Sequence, residues 1–103
     1  MEETDNTEVS MLRVKSTTEV RALSGSIISC FDKEPNKPII LRAIGAGAVN
    51  QAMKSAVTSN TFFGKKGLYI SIVPSLVTLK EEGNMTALEM RVEIRKIKQE
   101  HEV

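Results

Sequence analysis

The groups best suited to chemistry in this sequence are cationic and amide side chains gathered around two glycines. Gly45 and Gly47 close an apolar run and open a helical pattern; Arg42 precedes them, and Asn50 and Lys54 follow on the polar side of the helix. Glycines permit a tight strand-to-helix corner, and the first turn of a helix leaves backbone N–H groups without partners, an arrangement suited to phosphate or another anion. Lys15, Lys65 and Lys66 add positive charge from the neighbouring connections. Between residues 11 and 80, ten cations stand against three acids, although the whole chain carries a formal charge of only +1. A basic middle of this kind can receive an anionic polymer. The corner serves equally well as a purely structural turn, because the full Gly-x-Gly-x-x-Gly and Gly-x-x-x-x-Gly-Lys-Ser/Thr patterns are missing.

Other chemistries lack their residue sets. His101, the only histidine, sits in a charged terminal run without a cysteine cluster, so it suits neither a metal site nor a general base. Glu89 and Glu93 share a strand face with Arg91 and Arg95, the pattern of a neutralised surface ladder. Cys30, the only cysteine, cannot close an intramolecular disulfide and falls among apolar helical residues as a packed thiol. Tyr69 offers a stacking face or ordinary sheet packing. The expectation is a protein that is not an enzyme and holds no cofactor or metal. Without an apolar run long enough to cross a membrane or a secretory signal, it is expected in the cytoplasm, nucleoid-associated or nuclear if it binds DNA.

These residues need elements to position them, and 103 residues suit one hydrophobic core. The expected organisation is a flexible acidic tail over residues 1–7, a single domain over 8–98 and a charged C-terminal tail over 99–103. Aromatics make up only 4%, so Ile, Leu, Val and Met must fill the core. Leu12 and Val14 alternate with Arg13 and Lys15, predicting a strand with one wet face. Ser16, Thr17, Thr18 and Glu19 fit a capping box, and Val20, Leu23, Ser24, Ile27, Ile28 and Phe31 then recur at helical spacing. Pro35 and Pro38 stop that helix. Residues 39–44 predict a covered strand, and a second helix is expected from Ala46 or Gly47 to near Asn60. The connection over residues 61–67 contains Phe62 and Phe63, which either close one end of the core or meet another subunit. Residues 68–73 predict a strand broken at Pro74; residues 76–79 resume it, residues 81–84 turn, and Leu88, Met90, Val92 and Ile94 mark a last alternating strand. This order predicts an α/β two-layer sandwich, a mixed four-stranded sheet with two helices on one face.

Residues 44–56, carrying Gly45, Gly47, Asn50, Gln51 and Lys54, strongly resemble the stage V sporulation protein S family. The resemblance continues more loosely through residues 67–74 and 86–93, and covers roughly residues 9–97. The family looks like part of the wider Alba-like group, whose small β-α-β-α-β-β domains bind DNA or RNA and commonly associate as dimers. By resemblance, Gly45, Gly47, Asn50, Gln51 and Lys54 occupy the corner and the first turns of the second helix. Lys15 and Ser16 match the region of a loop where Alba-like proteins contact the nucleic-acid backbone. That loop is shorter here than is usual in the family, and the basic residue often found after the second helix is replaced around Asn60, with Lys65 and Lys66 following. The resemblance implies a role in spore development and cell-division control. Together these readings predict a noncatalytic nucleic-acid-binding regulatory protein. Lys15, Ser16, Arg42, Gly45, Gly47, Asn50, Gln51, Lys54, Lys65 and Lys66 would engage the phosphate backbone of DNA or RNA in a homo-dimer or higher homo-oligomer. The rivals are a structural or protein-interaction module that self-associates through the small face of the second helix and Phe62–Phe63, and a small-anion sensor at Gly45–Gly47.

Overall fold

The computed structural model describes residues 2–4 and 8–97. Its elements in chain order are β1 (Glu2–Thr4), β2 (Ser10–Val14), α1 (Val20–Lys33), β3 (Ile39–Ala43), α2 (Ala46–Gly64), β4 (Leu68–Leu79) and β5 (Met85–Lys96), with a 3-10 turn, Lys80–Glu82, between the last two strands. The sheet order is β1-β2-β3-β5-β4. Strands β2 and β3 run parallel, and the other neighbours pair antiparallel. The expected four-stranded mixed sheet is present as β2-β3-β5-β4, and the acidic N-terminal stretch, expected as a tail, contributes β1 to its edge. Met1, residues 5–7 and the expected C-terminal tail with His101 lie outside the described residues.

Alternation decides which face of the sheet is covered. In β2 and β3 every second residue is buried, and Leu12, Val14, Ile39, Leu41 and Ala43 join Met90 and Val92 of β5 under the helices. Leu23 and Ile27 of α1 and Ala48, Ala52 and Phe63 of α2 complete this core. Each large apolar side chain removed from water contributes about 1.5–3 kcal/mol, which outweighs local propensity in choosing the face. The two helices meet over small residues. Ser24 Oγ donates to Ser55 O at 3.0 Å, and Ser59 Oγ donates to Ser55 O at 2.9 Å. Ser55 and Ser59 are fully buried, so bulkier side chains there would force the helices apart.

The structure corrects three expectations. The capping box does not form: α1 begins at Val20 with Glu19 as its N-cap and no side-chain cap, so Ser16 lies three residues before the cap position, and Thr18 Oγ1 accepts from Lys15 N at 2.8 Å within the loop. Helix α2 runs on to Gly64 and takes in the phenylalanines. Phe63 is fully buried and meets Phe31 and Phe62 edge-on, with ring centroids 5.3 and 5.5 Å apart, so the pair closes one end of the core. Finally, β4 continues through Pro74, which pairs with Met90; β4 is an edge strand, where a missing donor is tolerated. Among the described residues, no helix is long and apolar enough to cross a membrane.

Candidate functional site

The corner between β3 and α2 needs its two glycines for different reasons. Gly45, the N-cap of α2, has φ 92° and ψ 156°, a backbone region that side-chain-bearing residues rarely occupy. Gly47 has ordinary helical backbone but no room: a Cβ there would lie 2.8 Å from Ser16 Cβ. The first turn of α2 is therefore pressed directly against the loop between β2 and α1.

That loop is held from both sides. Lys15 and Thr18 exchange hydrogen bonds, Lys15 N to Thr18 Oγ1 and Thr18 N to Lys15 O at 3.0 Å. From α2, Gln51 Nε2 donates to Thr18 O at 2.8 Å. Gln51 thus braces the loop, and its amide is engaged within the fold. The sequence shows the hydroxyls of this loop but not which of them the fold engages.

At this rim Lys15, Ser16, Gly45, Gly47 and Asn50 are all exposed. The N-terminus of α2 has no side-chain cap and no acid in its first turn. Its leading N–H groups and partial positive charge consequently face the same region as Lys15. Lys54 follows Asn50 by one turn and is exposed, and Lys65 follows Lys54 by eleven residues, close to three turns. Gly47, Lys54 and Lys65 therefore mark one stripe along α2. Neither Lys15, Lys54 nor Lys65 has an ion-pair partner among the described residues.

Not every expected residue joins the rim. Lys65 and Lys66 lie beyond the far end of α2, roughly 27 Å from Gly47 at 1.5 Å per residue. Lys66 turns back over the Phe62 ring, its Nζ 4.7 Å from the centroid. Arg42 projects from the opposite, open face of the sheet, where Glu89 Oε2 accepts from its Nε at 2.7 Å and approaches its Nη2 at 2.6 Å. Its charge is largely matched. The same face carries Arg13, which the alternation of β2 places on the wet side of that strand and which is paired with Glu82 of the hairpin turn. An alternating cation beside Lys15 is visible in the sequence, but its nearness to Arg42 depends on the β2–β3 register, in which Arg13 and Arg42 are partners.

No curated protein sequence matches the chain. The family model of stage V sporulation protein S matches residues 10–95, spanning the sheet from β2 through nearly all of β5, both helices and the whole rim. By that match the chain belongs to the stage V sporulation protein S family.

Proposed function

We propose that this is a noncatalytic nucleic-acid-binding regulatory protein that holds the phosphate backbone of DNA or RNA along α2, starting from the Gly45 corner. The observation that carries the reading is the convergence of Lys15, Ser16 and Asn50 on the uncapped start of α2, with Lys54 and Lys65 continuing the line. Phosphate contacts of this type position a polyanion without reading its bases. The span from Gly47 to Lys65 corresponds to about eight phosphates of one strand at roughly 3.4 Å each along a duplex axis. The family membership supports the same reading, as does the resemblance of that family to the Alba-like group.

The test is titration of the purified protein with labelled DNA and RNA over a salt series. Binding should weaken steeply with salt. Lys54→Ala and the Lys65→Ala/Lys66→Ala pair should each lower affinity and reduce the salt slope by about one for each phosphate that is no longer neutralised. Absence of saturable binding at the lowest salt would remove the reading.

A second reading, a self-associating module, is favoured by a different surface from the phenylalanines. Strand β4 has no charged residue in its twelve and lies at the sheet edge. Val57 is 67% and Leu76 71% exposed on the helix side, with Met53 and the half-buried Ile70 and Ile72 between them. Uncharged edges are usually covered. If a second copy covers this one, Val57→Glu and Leu76→Glu should each lower the solution mass to that of one chain while leaving the α2 rim intact.

A further inference from the structure

The carboxyl ends of the parallel strands β2 and β3 open into a crevice of about 320 Å³. Arg13, Lys15 and Arg42 surround it, Ile44 and Leu79 give it an apolar floor, and Glu82 enters from the hairpin turn. Crevices outside the carboxyl ends of strands are where open α/β sheets commonly receive ligands.

Glu82 is already seated there. Its Oε2 contacts Arg13 Nη2, a contact across the whole fold between the first long strand and the tip of the β4–β5 hairpin. A carboxylate on a guanidinium marks a direction from which that cation accepts an oxyanion, and a phosphate offers the same contact with more oxygens. The two pairs differ in exposure. Arg13 and Glu82 are 40% and 34% exposed, and exposed pairs are weak and easily exchanged. Arg42 and Glu89 are 23% and 15% exposed, with two donor nitrogens on one carboxylate oxygen, so that pair stays closed.

We infer that this crevice is a second phosphate seat beside the α2 corner, and that Glu82 is a built-in competitor which an incoming backbone phosphate displaces from Arg13. Lys15, at the boundary of the corner and the crevice, serves both. Glu82 thereby sets how much polyanion charge is needed before the hairpin side of the site engages. The inference rests on the nucleic-acid reading above and adds to it Arg13 and an acidic residue that opposes binding.

The experiment is a salt-series titration of the full chain with a labelled oligonucleotide, comparing the unaltered protein with Glu82→Gln, Glu81→Gln and Glu82→Gln/Arg13→Ala. Glu82→Gln should tighten binding about three- to tenfold and steepen the salt dependence by about one ion. Glu81→Gln changes the net charge equally, one residue away, and should tighten binding less than about twofold. Adding Arg13→Ala should abolish the gain. Equal effects of the two glutamate variants, or no effect of Glu82→Gln on an otherwise binding protein, would overturn the crevice alone. No binding by any form at the lowest salt would overturn the nucleic-acid reading and the crevice with it.

Discussion

Gly47→Ala should destabilise the protein even though alanine is the better helix former. The added Cβ would sit 2.8 Å from Ser16 Cβ and 3.7 Å from Ser16 Cα. Carbon atoms rest at about 3.5–4.0 Å, so helix and loop must separate by about 0.7 Å or more. Ser16 Cβ cannot swing away, because it is fixed to the backbone, and the loop is pinned by Lys15 N to Thr18 Oγ1 and by Gln51 Nε2 to Thr18 O. Overpacking costs about 1–3 kcal/mol, whereas replacing a helical glycine recovers at most about 1 kcal/mol. The expected net loss is about 1 kcal/mol, a fall in melting midpoint of about 4–8 °C for a domain of this size.

Urea and thermal unfolding of Gly47→Ala, Ser16→Gly and the double variant would isolate the contact. In the Ser16→Gly background the opposing atom is gone, so Gly47→Ala should become neutral or stabilising. The coupling between the two positions should be about 1–3 kcal/mol. A Gly47→Ala protein at least as stable as the parent, or one whose loss persists without Ser16 Cβ, would show that the contact between Gly47 and Ser16 does not limit stability. The same variant should weaken polyanion binding without removing a charge, since it moves Lys15 and Ser16 away from Asn50.

Gln51→Ala should cost about 0.5–1.5 kcal/mol in urea unfolding by freeing Thr18 O, and should lower oligonucleotide affinity with an unchanged salt slope because no cation is removed. Phe63→Ala should lose about 3–5 kcal/mol, a large part of a small domain's stability, seen as a lower urea midpoint. Glu89→Ala should cost about 1.5–3 kcal/mol by stranding the part-covered Arg42, yet raise polyanion affinity, which unfolding and titration would show as opposite signs.

What the sequence discloses depends on how local each cause is. The alternation of Leu12, Arg13 and Val14 is legible because one sheet face is wet and the other is covered. The flexibility of Gly45 is legible too, since a strand-to-helix corner needs unusual backbone. The need for Gly47 is not, because it arises from Ser16, distant in the chain. The end of α2 is hidden because Ser55 and Ser59 count as polar, although they form one buried row with Phe63 at four-residue intervals. Pro74 reads as a break under a local rule that an edge position relaxes. Ser16 and Glu19 fit a capping box by spacing alone, but the fold starts α1 only at Val20 and engages Thr18 Oγ1 with Lys15 N instead.

Electrostatic availability is also a consequence of register. In the β3–β5 ladder Leu41 faces Met90 and Arg42 faces Glu89. Sliding β5 by one residue would turn Met90 and Val92 from the core to the open face and set a different side chain against Arg42. The burial of two large apolar residues thus fixes the ion pair, and the compensation of Arg42's charge by Glu89 follows from packing. The same open face matches Arg13 with Glu82 and places Glu93 near both Arg91 and Arg95, at 3.5 and 2.5 Å. The lysines at the α2 rim face no such ladder. A chain whose formal charge is close to zero consequently presents, among the described residues, a largely compensated surface and a cationic stripe, and the Arg13–Glu82 pair stands where the two surfaces meet.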